Sequence, residues 1–228
     1  MAGLFTALHL PENIKILIIT KDELEKSNSF LAQGGISTLR DEEDYDAYFE
    51  DTMRAGKYEN DKKAVDVLIR SSRAIIKELI KLGVDFDKEG EELSYTREGA
   101  HSINRILHHK DITGKEITSK LIEKVLTKPN ITIKTHATMI DIVSEENKCR
   151  GILIHYEGML IQVDAKTVVL ATGGIGGLFK NSTNFPHITG DGVAVAIKNG
   201  VKVKNINYIQ IHPTCLYTNE KGRRFLIS

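Results

Sequence analysis

Residues 2–20, AGLFTALHLPENIKILIIT, decide the fold. Residues 4–10 predict a helix, Pro11–Asn13 a turn and Ile14–Thr20 a strand. The strand run is short, β-branched and nearly all apolar, as in a parallel strand buried on both faces. A helix running into such a strand is half of a βαβ unit.

The residues before that helix also carry a signal. In a dinucleotide-binding fold a G-x-G-x-x-G turn precedes it. Met1-Ala2-Gly3 match the last three positions, with Gly3 as the third glycine. The alternative is an ordinary helix behind a short tail. A second glycine turn, Gln33–Gly35, follows the strand. A third, Gly173–Gly177, follows Thr167–Ala171 (TVVLA), which reads as another buried parallel strand. Backbone N–H groups at such turns and at helix N-termini suit phosphates, though glycine turns are also common punctuation.

Between these turns the pattern alternates. Residues 42–56 predict a helix with Tyr45, Tyr48, Phe49 and Met53 on one face and Gly56 at its end. Asp61 is placed to cap a long helix reaching about Leu82, closed by Gly83. Its expected inner face carries Val65, Leu68, Ile69, Ala74, Ile75, Leu79 and Ile80. Thr113–Leu126 reads as an amphipathic helix and Ile131–Thr135 as a strand. Thr138–Val143, Gly151–His155 and Met159–Val163 read as consecutive antiparallel strands with polar turns. Asp191–Gly200 reads as a helix and Val201–Val203 as a short strand. Strands alternating with helices argue an α/β fold with a parallel sheet.

The stretch Thr96–Ile117, TREGAHSINRILHHKDITGKEI, concentrates polar chemistry. Glu98, Arg97, Arg105, His101, His108 and His109 surround a glycine. Cationic and imidazole donors suit the two carboxylates of a small dicarboxylate, and a lone carboxylate suits an ammonium group. A solvated polar loop accounts for this stretch equally well.

Seven segments in order carry a family likeness: AGLFTAL (2–8), SFLAQGGIS (29–37), TREGAHSINRILH (96–108), DITGKEI (111–117), VVLATGG (168–174), TGDGVAVA (189–196) and IQIHPT (209–214). Together they resemble the L-aspartate oxidases of the succinate dehydrogenase and fumarate reductase flavoprotein superfamily. The resemblance implies a partial Rossmann-like FAD-binding fold of the glutathione-reductase type, with a three-stranded antiparallel unit. It places the FAD-binding domain at residues 1–205, without its first strand and most of its phosphate loop. Residues 206–228 would begin a capping domain. The chain is therefore expected to be an internal piece truncated at both ends, or a product started at an internal methionine. By itself it is expected to be inactive or nearly so.

The same resemblance implies a set of FAD contacts. They are Ala2 and Gly3, Lys21 near the adenosine ribose, and Asn28, Ser29, Phe30, Leu31, Ala32, Gln33, Gly34 and Gly35 along the flavin ring. Thr138 and Met139 match a backbone contact to the adenine half. Ala171, Thr172, Gly173 and Gly174 pass near the dinucleotide, and Asp191 matches a second flavin motif. Asn28 stands where succinate dehydrogenases carry a flavin-linking histidine. An amide cannot form that bond, so FAD is expected to be non-covalent. On the substrate side the resemblance assigns Glu98 to the α-amino group, His212 to a carboxylate and Gln210 to a neighbouring amide contact, and leaves Arg97, His101, Arg105 and His108 to shape the loop rather than touch substrate. It implies oxidation of L-aspartate to iminoaspartate with oxygen or fumarate as acceptor. The product is handed to quinolinate synthase for NAD formation.

Composition is compatible with this reading. The 228 residues are 41% hydrophobic with zero formal net charge, so nothing favours nucleic acid or a membrane surface. No apolar run approaches the ~20 residues that span a bilayer, and no signal peptide is read at the N-terminus. Cys149 and Cys215 form no metal pattern, and no metal is expected. A reduced, cytoplasmic setting is the simplest reading. Two other readings compete: a soluble fumarate reductase or succinate dehydrogenase flavoprotein, and a non-catalytic nucleotide-binding remnant.

Overall fold

Strand Ile16–Ile19 pairs in parallel with Ile131–Lys134, Ile16 opposite Ile131 and Ile19 opposite Lys134. This is the parallel pairing expected of the apolar run. In this computed structural model, which describes residues 1–212, 214–216, 218 and 222–227, the strand is half-buried on both faces. The expectation of full burial is therefore corrected. The chain divides into two compact units: Ala2–Asn28 with Val125–Ser228, and Ser29–Lys124 with Met1. Pro213 of the 209–214 motif, and Glu220, Lys221 and Ser228 near the C-terminus, lie outside the described residues.

In the first of these units, helix Ala2–His9 buries Leu4 and Ala7. The Ile14 N–H donates to the Pro11 carbonyl at 3.0 Å, closing the turn into the strand. Strands Thr138–Glu145, Lys148–Tyr156 and Met159–Asp164 form an antiparallel sheet with Lys148–Tyr156 in the centre. Ile154 pairs with Met139 on one side and Ile161 on the other. Alternation along the central strand buries Ile152 and Ile154 on one face. Helix Asp191–Lys198 buries Gly192, Val195 and Ala196. Asn199 Nδ2 just beyond it donates to Asp141 of the sheet at 2.9 Å, and Lys198 pairs with the same carboxylate.

Two expected strands are absent among the described residues. Thr167–Ala171 and Val201–Val203 are not paired in any ladder. An apolar β-branched run favours the extended form, but strand structure also needs a neighbour's N–H and C=O groups. Without that ladder Val169 and Leu170 are 56% and 41% exposed.

In the other unit, helices Tyr45–Ala55 and Lys62–Lys81 pack around Leu39, Tyr48, Met53, Val65 and Ile69, with Tyr45 and Phe49 against them. Asp61 caps the longer helix, its Oδ1 accepting from Lys63 N at 2.9 Å and Ala64 N at 3.1 Å. The inner face is Val65, Ile69, Ile76 and Leu79. Leu68, Ala74, Ile75 and Ile80 are exposed. The 3.6-residue period keeps 65, 69, 76 and 79 within one sector about 80° wide and sets 68 and 75 just beyond its edge, about 60–80° from its centre. Helix Thr113–Leu126 buries Ile117, Leu121 and Ile122. A small antiparallel sheet sets Ile106–Leu107 between Ile36–Ser37 and Tyr95–Thr96. It brings the 33–35 turn and the 96–105 loop to one place. No helix among the described residues is long and apolar enough to cross a membrane.

Candidate functional site

In the unit built on Ser29–Lys124, Ser29, Phe30 and Leu31 complete the short helix Asn28–Leu31. The Gly114 N–H donates to the Ala32 carbonyl at 2.9 Å. A Cβ on Gly114 would lie 2.2 Å from the Ser29 carbonyl oxygen, so the glycine of DITGKEI lets the two backbones meet. Gln33 Nε2 donates to Asp111 at 3.3 Å. Gly35 does not use positive φ. Its role is close approach: an added Cβ would be 2.2 Å from both Ile106 Cγ2 and the Leu107 carbonyl oxygen. Gly34 faces Glu98, whose Oε1 lies 3.9 Å from an ideal Cβ there. The Glu98 side chain is exposed, and no described residue gives it a hydrogen bond or ion pair.

The rest of the 96–117 cluster turns inward or pairs locally. Arg105 is fully buried. Its Nη2 meets Asp44 Oδ1 at 2.7 Å, its Nη1 meets Asp51 Oδ2 at 2.6 Å, and its guanidinium lies 4.9 Å from the Tyr48 ring centre. Asp51 also accepts from Ser102 N and Oγ, each at 2.7 Å. Burial pushes the Asp51 carboxyl up, but the bonds from Ser102 and Arg105 outweigh it and hold the group at about 2. His108 Nδ1 lies 3.1 Å from Asp87, and His109 Nδ1 lies 2.6 Å from the Asp85 carbonyl. Arg105 is thus spent on the fold and cannot hold a ligand carboxylate.

Sequence reasoning missed Asp44 and Asp51. Their signal was present: with Tyr48 they follow i, i+4, i+7 spacing, on the helix face otherwise expected to be apolar.

In the other unit, a Cβ on Gly3 would meet the Ala171 Cβ at 3.3 Å. Lys21 Nζ donates to Asp191 Oδ2 at 2.7 Å and Thr189 Oγ1 at 2.9 Å. Burial raises the Asp191 carboxyl, yet the bonds from Lys21 and Thr189 hold it below its ordinary value. Thr172 packs on the start of the Asp191–Lys198 helix, where a Cβ on Gly192 would be 2.1 Å from Thr172 Oγ1. Gly173 has φ +72°, and a Cβ on Gly174 would meet nothing within 4 Å, so bare backbone faces open space there.

The remaining candidates of this unit stand apart from those contacts. The Asn28 amide bonds the Asn184 amide, and its Oδ1 accepts from Phe185 N at 3.4 Å. Thr138 and Met139 open the first antiparallel strand. Gln210 and His212 lie on an exposed segment. His212 Nδ1 sits 3.0 Å from the Thr214 carbonyl and 3.2 Å from Thr214 N. That contact occupies Nδ1 within the turn and leaves Nε2 for a ligand.

A family model described as FAD binding domain matches residues 1–228. The L-aspartate oxidase of Clostridium perfringens is 47% identical over all of this chain, which covers 52% of that protein. The L-aspartate oxidase of Clostridium acetobutylicum is 45% identical over all of this chain, which covers 53% of it. The chain thus spans about half the length of these curated relatives. Among solved structures, the apo Sdh1 complex of Mycobacterium smegmatis superposes with a TM-score of 0.90 at 27% identity, over 99% of this chain and 41% of that one.

Proposed function

The chain belongs to the FAD binding domain family, matched along its whole length, and from that premise we propose that it serves the FAD-dependent oxidation of L-aspartate to iminoaspartate. The observation that carries this reading is Glu98, an exposed carboxylate without a described partner beside Gly34. The identity to L-aspartate oxidases supports it.

The residues present fit FAD. Gly174 offers uncovered backbone, next to Gly173 at φ +72°. Asp191 places an acceptor at a helix start, suited to sugar or ribityl hydroxyls, while its charge disfavours a phosphate at that point. The helix end Ser29–Leu31 runs into the turn Gln33–Gly35, whose Gly34 lies beside Glu98. Bound FAD supplies the two-electron acceptor that no side chain provides.

The protein's own part is binding and orientation. Glu98 accepts from the substrate ammonium, His212 donates from Nε2 to a carboxylate, and Gln210 adds an amide contact. The amine gives up one proton as the Cα–H bond is oxidised. Oxygen, giving hydrogen peroxide, or fumarate is the terminal acceptor. The product passes to quinolinate synthase in the cytoplasm as the first step toward NAD. Residues 1–205 act as the FAD-binding domain, and residues 206–228 lead into a capping domain.

A second reading, a fumarate reductase or succinate dehydrogenase flavoprotein, is favoured by the likeness to the Sdh1 complex. Ligand choice separates the two. The FAD-loaded protein is titrated with L-aspartate and with succinate, and the flavin absorbance is followed without oxygen. The aspartate reading expects tighter binding of L-aspartate, weakened about tenfold or more by Glu98→Gln through loss of a charged hydrogen bond. Equal binding of succinate, with no effect of Glu98→Gln, overturns it.

A further inference from the structure

An exposed carboxylate three residues from a histidine invites an internal ion pair. Glu98 and His101 share one turn, with the His101 N–H on the Glu98 carbonyl at 3.3 Å. Were the imidazole protonated, it would be a built-in rival for any ammonium that Glu98 should bind.

The hydrogen bonds of the turn prevent this. Arg105 Nη1 lies 3.0 Å from His101 Nδ1. A guanidinium nitrogen only donates, so Nδ1 must be the acceptor and carries no proton. The single imidazole proton then sits on Nε2. Arg105 cannot turn away, because Asp44 and Asp51 fix its other donors in a buried site. The groups that face His101 are Arg105 and Glu98 from its own loop, Asp44 and Asp51 from the helix Tyr45–Ala55 and its N-cap, and the Tyr48 ring at 6.1 Å. Burial first, and the Arg105 cation second, push His101 below the ordinary histidine range, against the pull of the three carboxylates.

We propose that His101 is a specificity-determining positioning residue, held by Arg105 as a neutral Nε2–H imidazole so that Glu98 stays unpaired for the ammonium group of the substrate. The inference rests on the aspartate reading above. Arg105, itself out of reach of any ligand, acts on the substrate only through the charge state it imposes on its neighbour. Asp51 completes the device by holding both Arg105 and Ser102, which follows His101 directly.

Two measurements on the FAD-loaded protein test this. The first is ¹⁵N NMR of the imidazoles in the wild type between pH 5 and 8. His101 is expected to show the Nε2–H tautomer and to stay neutral through the ordinary histidine range. A protonated Nδ1, or titration at the ordinary value, overturns the proposal without any variant. The second is binding of L-aspartate and succinate to His101→Lys and His101→Gln, with thermal melting to verify folding. His101→Lys supplies a fixed cation and is expected to weaken L-aspartate about fivefold, the size of an exposed ion pair, with succinate unchanged. His101→Gln is expected to behave as wild type. Equal weakening of both ligands by both variants marks a purely structural residue and overturns the proposal. An L-aspartate affinity that His101→Lys leaves unchanged overturns this inference alone. A wild type that shows no preference, with the expected tautomer, overturns the aspartate reading and the inference with it.

Discussion

Lys21 and Asp191, 170 positions apart in the chain, meet at 2.7 Å in the unit that contains both. The pair joins the end of the parallel strand to the start of the Asp191–Lys198 helix, so two candidate cofactor residues hold each other in place. Their side chains are 29% and 30% exposed, so solvent screens the interaction. Replacing Lys21 with Met is expected to cost about 0.5–1 kcal/mol at pH 7. Because the folded state lowers the Asp191 carboxyl, the contribution is present above the ordinary carboxylate value and is lost as pH falls through the lowered one. Urea denaturation at pH 7 and pH 3 checks this, with the gap between wild type and variant narrowing at the lower pH.

Asp51 is the stronger case. Its side chain is 4% exposed, and its carboxyl is held at about 2 against an ordinary value of 3.8. Stability from this group is fully present above about pH 4 and disappears between pH 4 and pH 2, amounting to about 2 kcal/mol. Asp51→Asn is expected to lower stability by about 3 kcal/mol at pH 7, since the amide no longer neutralises buried Arg105. Acid titration followed by circular dichroism gives the comparison. A variant as stable as wild type at pH 7 would show that Asp44 alone suffices for Arg105.

Gly35→Ala tests the turn beside Glu98. The new Cβ would collide with a backbone oxygen, Leu107 O, which cannot rotate away. The Ile36–Leu107 pairing must shift, at a cost of about 1–3 kcal/mol. Gly34→Ala is the control, because its nearest neighbour is Glu98 Oε1 at 3.9 Å, an ordinary contact. Chemical denaturation of the two variants should separate them clearly. Equal stabilities would mean that the strand end at Gly35 is loosely held.

Much of the fold was legible because its signals are local. Asp61 caps its helix, the antiparallel strands lie between the expected turns, and the Ile16–Ile19 run finds a parallel partner. Capping, period and turn chemistry act within a few residues, so one segment suffices to read them. The failures came where a partner was required. Thr167–Ala171 has the composition of a core strand, yet among the described residues no edge hydrogen-bonds to it. Ile75 looked inward by composition, yet the helix turned Ile76 to the core instead.

The site divides along the same line. The α/β class, the glycine turns and the motif order that match an FAD binding domain are readable from the chain, because they depend on residue type and spacing. The sequence set Arg105 and His101 apart as residues that shape the 96–117 loop, but which partners hold them came from the folded chain. Arg105 is consumed by Asp44 and Asp51, His101 is tied to Arg105, and Glu98 is left facing Gly34. Availability depends on partners. A buried cation must find its carboxylates, and residues more than fifty positions apart meet only when the chain is folded.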